Sequence, residues 1–268
     1  MNKNFSVLVL LLFVVGVSFV NSQTPAKLNP YIDGEVLSYD GKFNKLILRG
    51  ANVADLTFTT SKAADGKNYT VKAEAVSKGT LLKLFGVKFL QNITTTVDGE
   101  NFYALKTVKN DIQNERVRDS EAIFDYTEKK VTYVETDPKD PNRPPRRIAS
   151  AIDGETYDLV SAVYRLRSIP LAVGKSFMMN VSDSGLVYQI PVKVTKRERQ
   201  DTIFGKVQCF RLEPQVFGKD KIVESEGEMV IWVTDDYRQL PVRSTIKTTV
   251  AKFSVKLDIK LRKYEVKK

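Results

Sequence analysis

Histidine is absent from the 268 residues and cysteine occurs once, at Cys209. Without imidazole there is no Ser-His-Asp or Cys-His relay, no His-containing zinc site and no imidazole acid–base group. A single thiol forms neither an internal disulfide nor a Cys-only metal site. No metal and no cofactor is therefore expected. Lone Cys209, flanked by Val207, Phe210 and Leu212, reads as a small buried hydrophobe. Hydrophobic residues make up 42% and charged residues 28%, the balance of a soluble globular protein rather than a multi-span membrane protein or a disordered tail. Lys+Arg outnumber Asp+Glu by 42 to 32. The basic residues are not interleaved with stacking aromatics, however, so nucleic acid is not an expected partner.

Long apolar runs are also scarce, with one exception. Lys3 precedes an apolar stretch from Val7 to Val15 that continues past Gly16 to Val20, and Val20-Asn21-Ser22 places small residues where a signal peptidase cuts. The stretch is shorter than the roughly 18 to 20 residues that cross a bilayer. Residues 1–22 are thus expected to be a cleaved signal peptide, leaving 23–268 as a single β-rich domain with no transmembrane span, in the periplasm or secreted.

What remains reads as strands. Phe253, Val255, Leu257, Ile259 and Leu261 alternate with polar residues, as do Leu186, Tyr188, Ile190, Val192 and Val194; period two with one wet face marks half-buried strands. Pro191 suggests an edge strand or a bulge. Shorter alternating sets lie at Tyr69–Ala75, Ala122–Tyr126 and Met229–Val233. Turn signals separate them at Tyr39-Asp40-Gly41-Lys42, Asp65-Gly66, Asp98-Gly99, Asp153-Gly154, Asp183-Ser184-Gly185 and Phe204-Gly205. Two segments are helical in pattern. One is Thr80 to Phe85; the other is Thr156 to Arg167, where Leu159, Val160, Val163, Tyr164 and Arg167 fall near one face and Thr156 is a candidate cap. Between Thr136 and Arg147 a charged stretch with four prolines reads as an exposed loop or linker between two strand-rich halves. The expected fold class is all-β with a few short helices: a curved antiparallel sheet or half-open barrel closed by helices.

Three stretches carry a family resemblance: Gly34-Glu35 through Tyr39; Tyr164-Arg165-Leu166-Arg167-Ser168-Ile169-Pro170-Leu171 followed by Gly174; and Ile231-Trp232-Val233-Thr234-Asp235-Asp236-Tyr237-Arg238-Gln239-Leu240-Pro241-Val242. Together they resemble the bacterial envelope family labelled domain of unknown function 3108, across nearly the whole mature chain. The resemblance implies an exported, mostly β protein similar to the half-open barrels of periplasmic lipoprotein carriers. It supplies no catalytic residue.

Candidate sites follow from these segments. Asp235 and Asp236, adjacent on a strand, would point to opposite faces, so an Asp-capped turn explains them better than a catalytic carboxylate pair. Arg165 and Arg167 cannot face the same groove. Arg167 suits either an anionic headgroup or an internal carboxylate at the helix end. The leading expectation is a non-catalytic envelope protein that binds a lipid or other hydrophobic small molecule in a barrel cavity, with Leu81, Leu82, Leu84 and Phe85 as a lid and with Tyr164, Arg167 and Trp232 lining the site. Lys252, Lys256, Lys260 and Arg262 form a basic stripe on the last strand, which either discourages edge-to-edge association or attracts an anionic envelope surface. The alternative is an envelope interaction or scaffolding protein with no ligand cavity, using a strand edge or the Pro-rich loop. An enzyme of carboxylates alone has no convergent constellation to support it. A transmembrane outer barrel fits the alternation but not the charge content, the helices or the lack of aromatic girdles.

Overall fold

The computed structural model describes residues 28–43, 50–79, 86–250 and 253–267. The signal segment, the 80–85 segment with Leu81, Leu82, Leu84 and Phe85, and Lys252 lie outside the described residues. The first half of the chain is a meander of β1 (Glu35–Phe43), β2 (Asn52–Lys62), β3 (Tyr69–Ser77), β4 (Phe89–Val97), β5 (Ala104–Gln113), β6 (Arg116–Asp125), β7 (Lys130–Thr136) and β8 (Arg146–Ala151). The second half comprises β9 (Thr156–Asp158), the helix α1 (Leu159–Arg165), β10 (Ser176–Asp183), β11 (Leu186–Thr202), β12 (Gly205–Pro214), β13 (Gly227–Thr234), β14 (Pro241–Val250) and β15 (Phe253–Val266).

All fifteen strands belong to one sheet, in the order β8-β7-β6-β5-β4-β3-β2-β1-β15-β14-β13-β12-β11-β10-β9. This is the chain's own order taken around a ring, because the first and last strands pair, with Glu35 opposite Val266. One ladder is missing, between β8 and β9. The protein is therefore an open, curved all-β sheet with a seam. β9 runs parallel to β10, and parallel neighbours need a crossover; α1 is that crossover. Side chains bridge the seam: Ser150 Oγ donates to the Gly185 carbonyl at 2.7 Å and Asn180 Nδ2 to the Asp153 carbonyl at 2.8 Å. Gly185 has φ +83°, and a Cβ there would lie 2.5 Å from Tyr133 Cβ, so glycine alone lets the β10–β11 turn approach β7 and β8 this closely.

Alternation produced the strands as the pattern predicts, with Ile190, Val192 and Val194 all buried on β11. Three local expectations change. Tyr39–Lys42 is no turn; β1 runs straight through it and absorbs the irregularity as register shifts at Ser38/Tyr39 and Gly41/Lys42. Pro191 sits at neither an edge nor a bulge, since β11 lies between β10 and β12. It is tolerated because Gln215 N donates to the Pro191 carbonyl at 2.9 Å, so that side of residue 191 faces the place where β12 has already ended, at Pro214. Finally, α1 starts later than predicted: Thr156 belongs to β9, and Asp158 is the cap. The Asp158 carboxylate accepts from Ser161 N at 2.7 Å while Ser161 Oγ accepts from Asp158 N at 2.9 Å, a reciprocal capping box. The Pro-rich stretch joins β7 to β8 as an exposed hairpin loop; the two meanders meet instead at residues 152–155.

The helix packs against β3 and β4 on one side and β9 and β10 on the other. Val160, Ser161 and Tyr164 form its buried face, while Leu159 is 43% exposed. Val160 and Tyr164 join one core cluster, whereas Leu166 joins a second built on Val181, Ile190, Val192, Leu212 and Val233. Among the described residues no helix is long and apolar enough to cross a membrane.

Candidate functional site

The three stretches behind the family resemblance converge on one buried point. Arg167, just past the end of α1, donates through Nη1 to Glu35 Oε2 at 2.6 Å and through Nη2 to Oε1 at 2.9 Å. Glu35 is 0% exposed and Arg167 2%. Arg167 Nε donates to the Arg238 carbonyl at 3.2 Å, and Gln239 Nε2 returns a bond to the Arg167 carbonyl at 2.9 Å. Gly34 sets the approach: its φ is +75° and a Cβ there would lie 2.0 Å from the Lys267 carbonyl oxygen. β1, the α1 terminus and the β13–β14 turn are thus clamped together.

That turn is built by its own side chains. Thr234 Oγ1 donates to Asp236 Oδ1 at 2.9 Å and accepts from Leu240 N at 2.9 Å, while Arg238 N donates to Asp236 Oδ1 at 3.0 Å. Partial burial resists ionisation of Asp236, but hydrogen bonds from Arg238 and Thr234 outweigh it and hold the carboxyl below the usual carboxylate range. Asp235 pairs separately with Arg197, so the two carboxylates do diverge. Trp232 is buried; its Nε1 donates to Glu198 Oε1 at 2.6 Å and its ring lies under Arg243, at 5.0 Å.

Tyr164 stands fully buried beside this clamp. Its ring stacks on Tyr31 at 4.9 Å, its hydroxyl accepts from Thr60 Oγ1 at 2.9 Å, and the Arg167 guanidinium lies 5.5 Å from its ring centre. Burial pushes the Tyr31, Tyr39 and Tyr164 phenols well above their ordinary value, so all three stay neutral; the Tyr39 hydroxyl donates to the Pro241 carbonyl at 2.9 Å, while that of Tyr31 is buried with no hydrogen-bond partner among the described residues. At the other end of α1, Asp158 also accepts from Thr107 Oγ1 at 2.8 Å and from Thr95. Nothing in the spacing of Thr95, Thr107 and Asp158 marks this cluster, because strand pairing sets Thr95 opposite Thr107 and β9 reaches them by packing across the sheet against β5.

Beside the outer side of α1 lie two apolar cavities. One, of about 120 Å³, is lined by Leu159 and Ala162 of the helix together with Met179, Val181, Ile190 and Val192; the other, of about 150 Å³, by Tyr39, Leu56, Phe58, Pro241, Ser244 and Ile259. They share Val163, Leu166, Met229 and Ile231, which makes them neighbouring compartments of one space. Ser244 faces Ile231 and Ile259 across its two ladders, and its Oγ is buried with no hydrogen-bond partner among the described residues. Both compartments are half-open pockets with largely apolar walls, the kind of surface that accepts an apolar group. Tyr164 and Arg167 meet each other beside this space, and Trp232 is held by Glu198 and Arg243; other side chains form its walls. The signal for those walls was the alternation on β13 and the apolar positions of α1. On the last strand, Lys260 pairs with Asp258 at 3.8 Å, and Arg262 with Asp40 at 3.3 Å and Asp55 at 3.9 Å. Among the described residues no group of His, Cys, Asp and Glu could hold a metal ion.

The family model for the protein of unknown function DUF3108 matches residues 38–259. The chain belongs to this family. No curated protein matches it. Among solved structures, this DUF3108 chain shares its fold with a β-barrel-like protein of domain of unknown function DUF1849 from Brucella abortus, at a TM-score of 0.57 and 12% identity over 88% of this chain and 99% of that one. A protein with a YmcC-like fold from Bacteroides fragilis aligns at a TM-score of 0.31 and 10% identity, covering 90% of the DUF3108 chain and 99% of its own. A porin-like protein from Bacteroides uniformis aligns at a TM-score of 0.30 and 10% identity, covering 89% and 98%.

Proposed function

We propose that this DUF3108 protein is a non-catalytic, exported protein of the cell envelope that holds a lipid or other hydrophobic small molecule beside α1. The observation that carries the reading is the pair of adjoining apolar cavities of about 120 and 150 Å³ walled by one helix and the inner side of the sheet. Export rests on Lys3 and the apolar stretch that follows it. The absence of histidine and the neutral, buried phenols support a binding rather than a catalytic role.

Native mass spectrometry and solvent extraction of gently purified protein test this. A co-purifying hydrophobic molecule, displaced when Val163→Trp fills the shared wall, is the expected result. No bound molecule, with no binding of added apolar probes, would overturn it.

A further inference from the structure

The sheet is split between β12 and β13, and the split connects the apolar space to a charged surface groove. Only Cys209–Leu212 pair with Ile231–Thr234. Beyond Leu212, β12 pairs with β11 alone, and the first residues of β13, from Gly227 to Val230, pair with β14 alone. The wedge is stoppered by the 215–226 segment: Gln215 N donates to the Pro191 carbonyl, Thr248 Oγ1 meets Ser225 Oγ at 3.0 Å and donates to the Glu226 carbonyl at 3.0 Å, Val216 and Ile222 pack against the second core cluster, and the Phe217 ring rests on Gly227. Outside the stopper lies a groove of about 320 Å³. Pro214, Val216 and Met229 line both that groove and the neighbouring 120 Å³ apolar pocket, so a thickness of single side chains separates them.

The two sides differ in chemistry. Inside, the walls are aliphatic and aromatic; outside, the groove carries Lys193, Arg211 and Lys221 against Glu213 and Glu228. Arg211 is paired with Glu213, and Glu228 with Lys247. Lys193 and Lys221 have no ion pair among the described residues, which leaves the groove cationic. The inner compartments are each smaller than the roughly 300 Å³ at which pockets for drug-sized ligands begin, so they suit one narrow chain.

From this arrangement, which rests on the reading of the cavities as a ligand site, we infer that the β12–β13 split is the ligand's entrance and that the ligand is a single-chain amphiphile with an anionic headgroup, its chain inside and its headgroup against Lys193 and Lys221. Carboxylate and phosphate headgroups share the required charge.

Calorimetric titration of the full chain with dodecanoate, dodecyl phosphate and uncharged dodecanol tests the inference. Both anions are expected to bind more tightly than dodecanol, and whichever binds tighter identifies the headgroup. High salt should weaken the anions alone. Lys193→Gln combined with Lys221→Gln should weaken them about tenfold, as two lost exposed charge contacts imply, with dodecanol unchanged. Phe217→Ala, which loosens the stopper, should raise association and dissociation rates several-fold together. If dodecanol binds as tightly as the anions and neither salt nor the double substitution matters, the headgroup assignment falls while the cavity reading stands. If Phe217→Ala leaves both rates unchanged, the entrance is elsewhere. If none of the three probes binds, the cavity reading itself fails.

Discussion

Glu35 and Arg167 are sealed from water, and their energetics differ from those of a surface pair. Each buried charge is tolerable only because the other is present, so removing one leaves an uncompensated charge. Glu35→Gln should cost about 3–5 kcal/mol in urea denaturation, whereas Glu35→Leu combined with Arg167→Met should come out near neutral. A small effect of the single change would mean that the clamp is not formed. Ser244 poses the opposite case: its hydroxyl is buried without a partner, so Ser244→Ala should be neutral or stabilise by about 1 kcal/mol in the same assay. Cys209 sits fully buried, and burial, followed by the nearby Asp236, Asp235 and Glu198 carboxylates, pushes its thiol up to about 12. Since the thiolate is the reactive form, a disulfide reagent at pH 8 should leave native protein unlabelled and label it fully in denaturant.

Two elements owe their form to polar side chains rather than to apolar periodicity. The seven-residue α1 is far shorter than a helix that is stable alone; its capping box and the packing of its buried face against strands hold it in place. The 234–240 turn depends on ionised Asp236. Its carboxyl titrates below the ordinary value in the folded protein, so the group contributes stability that is fully present above its unfolded pKa of about 3.9 and is lost as pH falls through the lowered folded value. Denaturation midpoints measured between about pH 5 and pH 2 should fall more steeply for the natural protein than for Asp236→Asn. Parallel curves would detach the turn from acid unfolding. This turn was legible in the sequence, because Thr-Asp-Asp followed by Arg carries local bonding within a few residues. The Asp158 box was misread by two positions, since Thr156 and Asp158 are both plausible caps and only the pairing of β9 with β10 decides between them.

At the scale of the whole molecule, the seam between β8 and β9 is where the ring of strands lacks backbone bonds. Its closure rests on contacts such as Ser150 to Gly185 and on the space left by the missing Cβ of Gly185. Gly185→Ala would drive a methyl into Tyr133 and Ile148, so hydrogen exchange across β8 should accelerate markedly while β1 and β15, at the middle of the sheet, stay protected. Unchanged exchange in β8 would show that the edges hold without this approach.

Period-two alternation was enough to establish an all-β chain, and the spacing of Leu159, Val160, Val163 and Tyr164 was enough to place a helix among the strands, because both signals come from near neighbours on one element. Arg167 could be narrowed only to an anionic ligand or an internal carboxylate. The tertiary structure decided that its partner is Glu35, 132 residues away, that the first and last strands pair, and that β12 and β13 part to leave a wedge. Such choices depend on which distant strand lies opposite which, and no local pattern of side chains encodes that register.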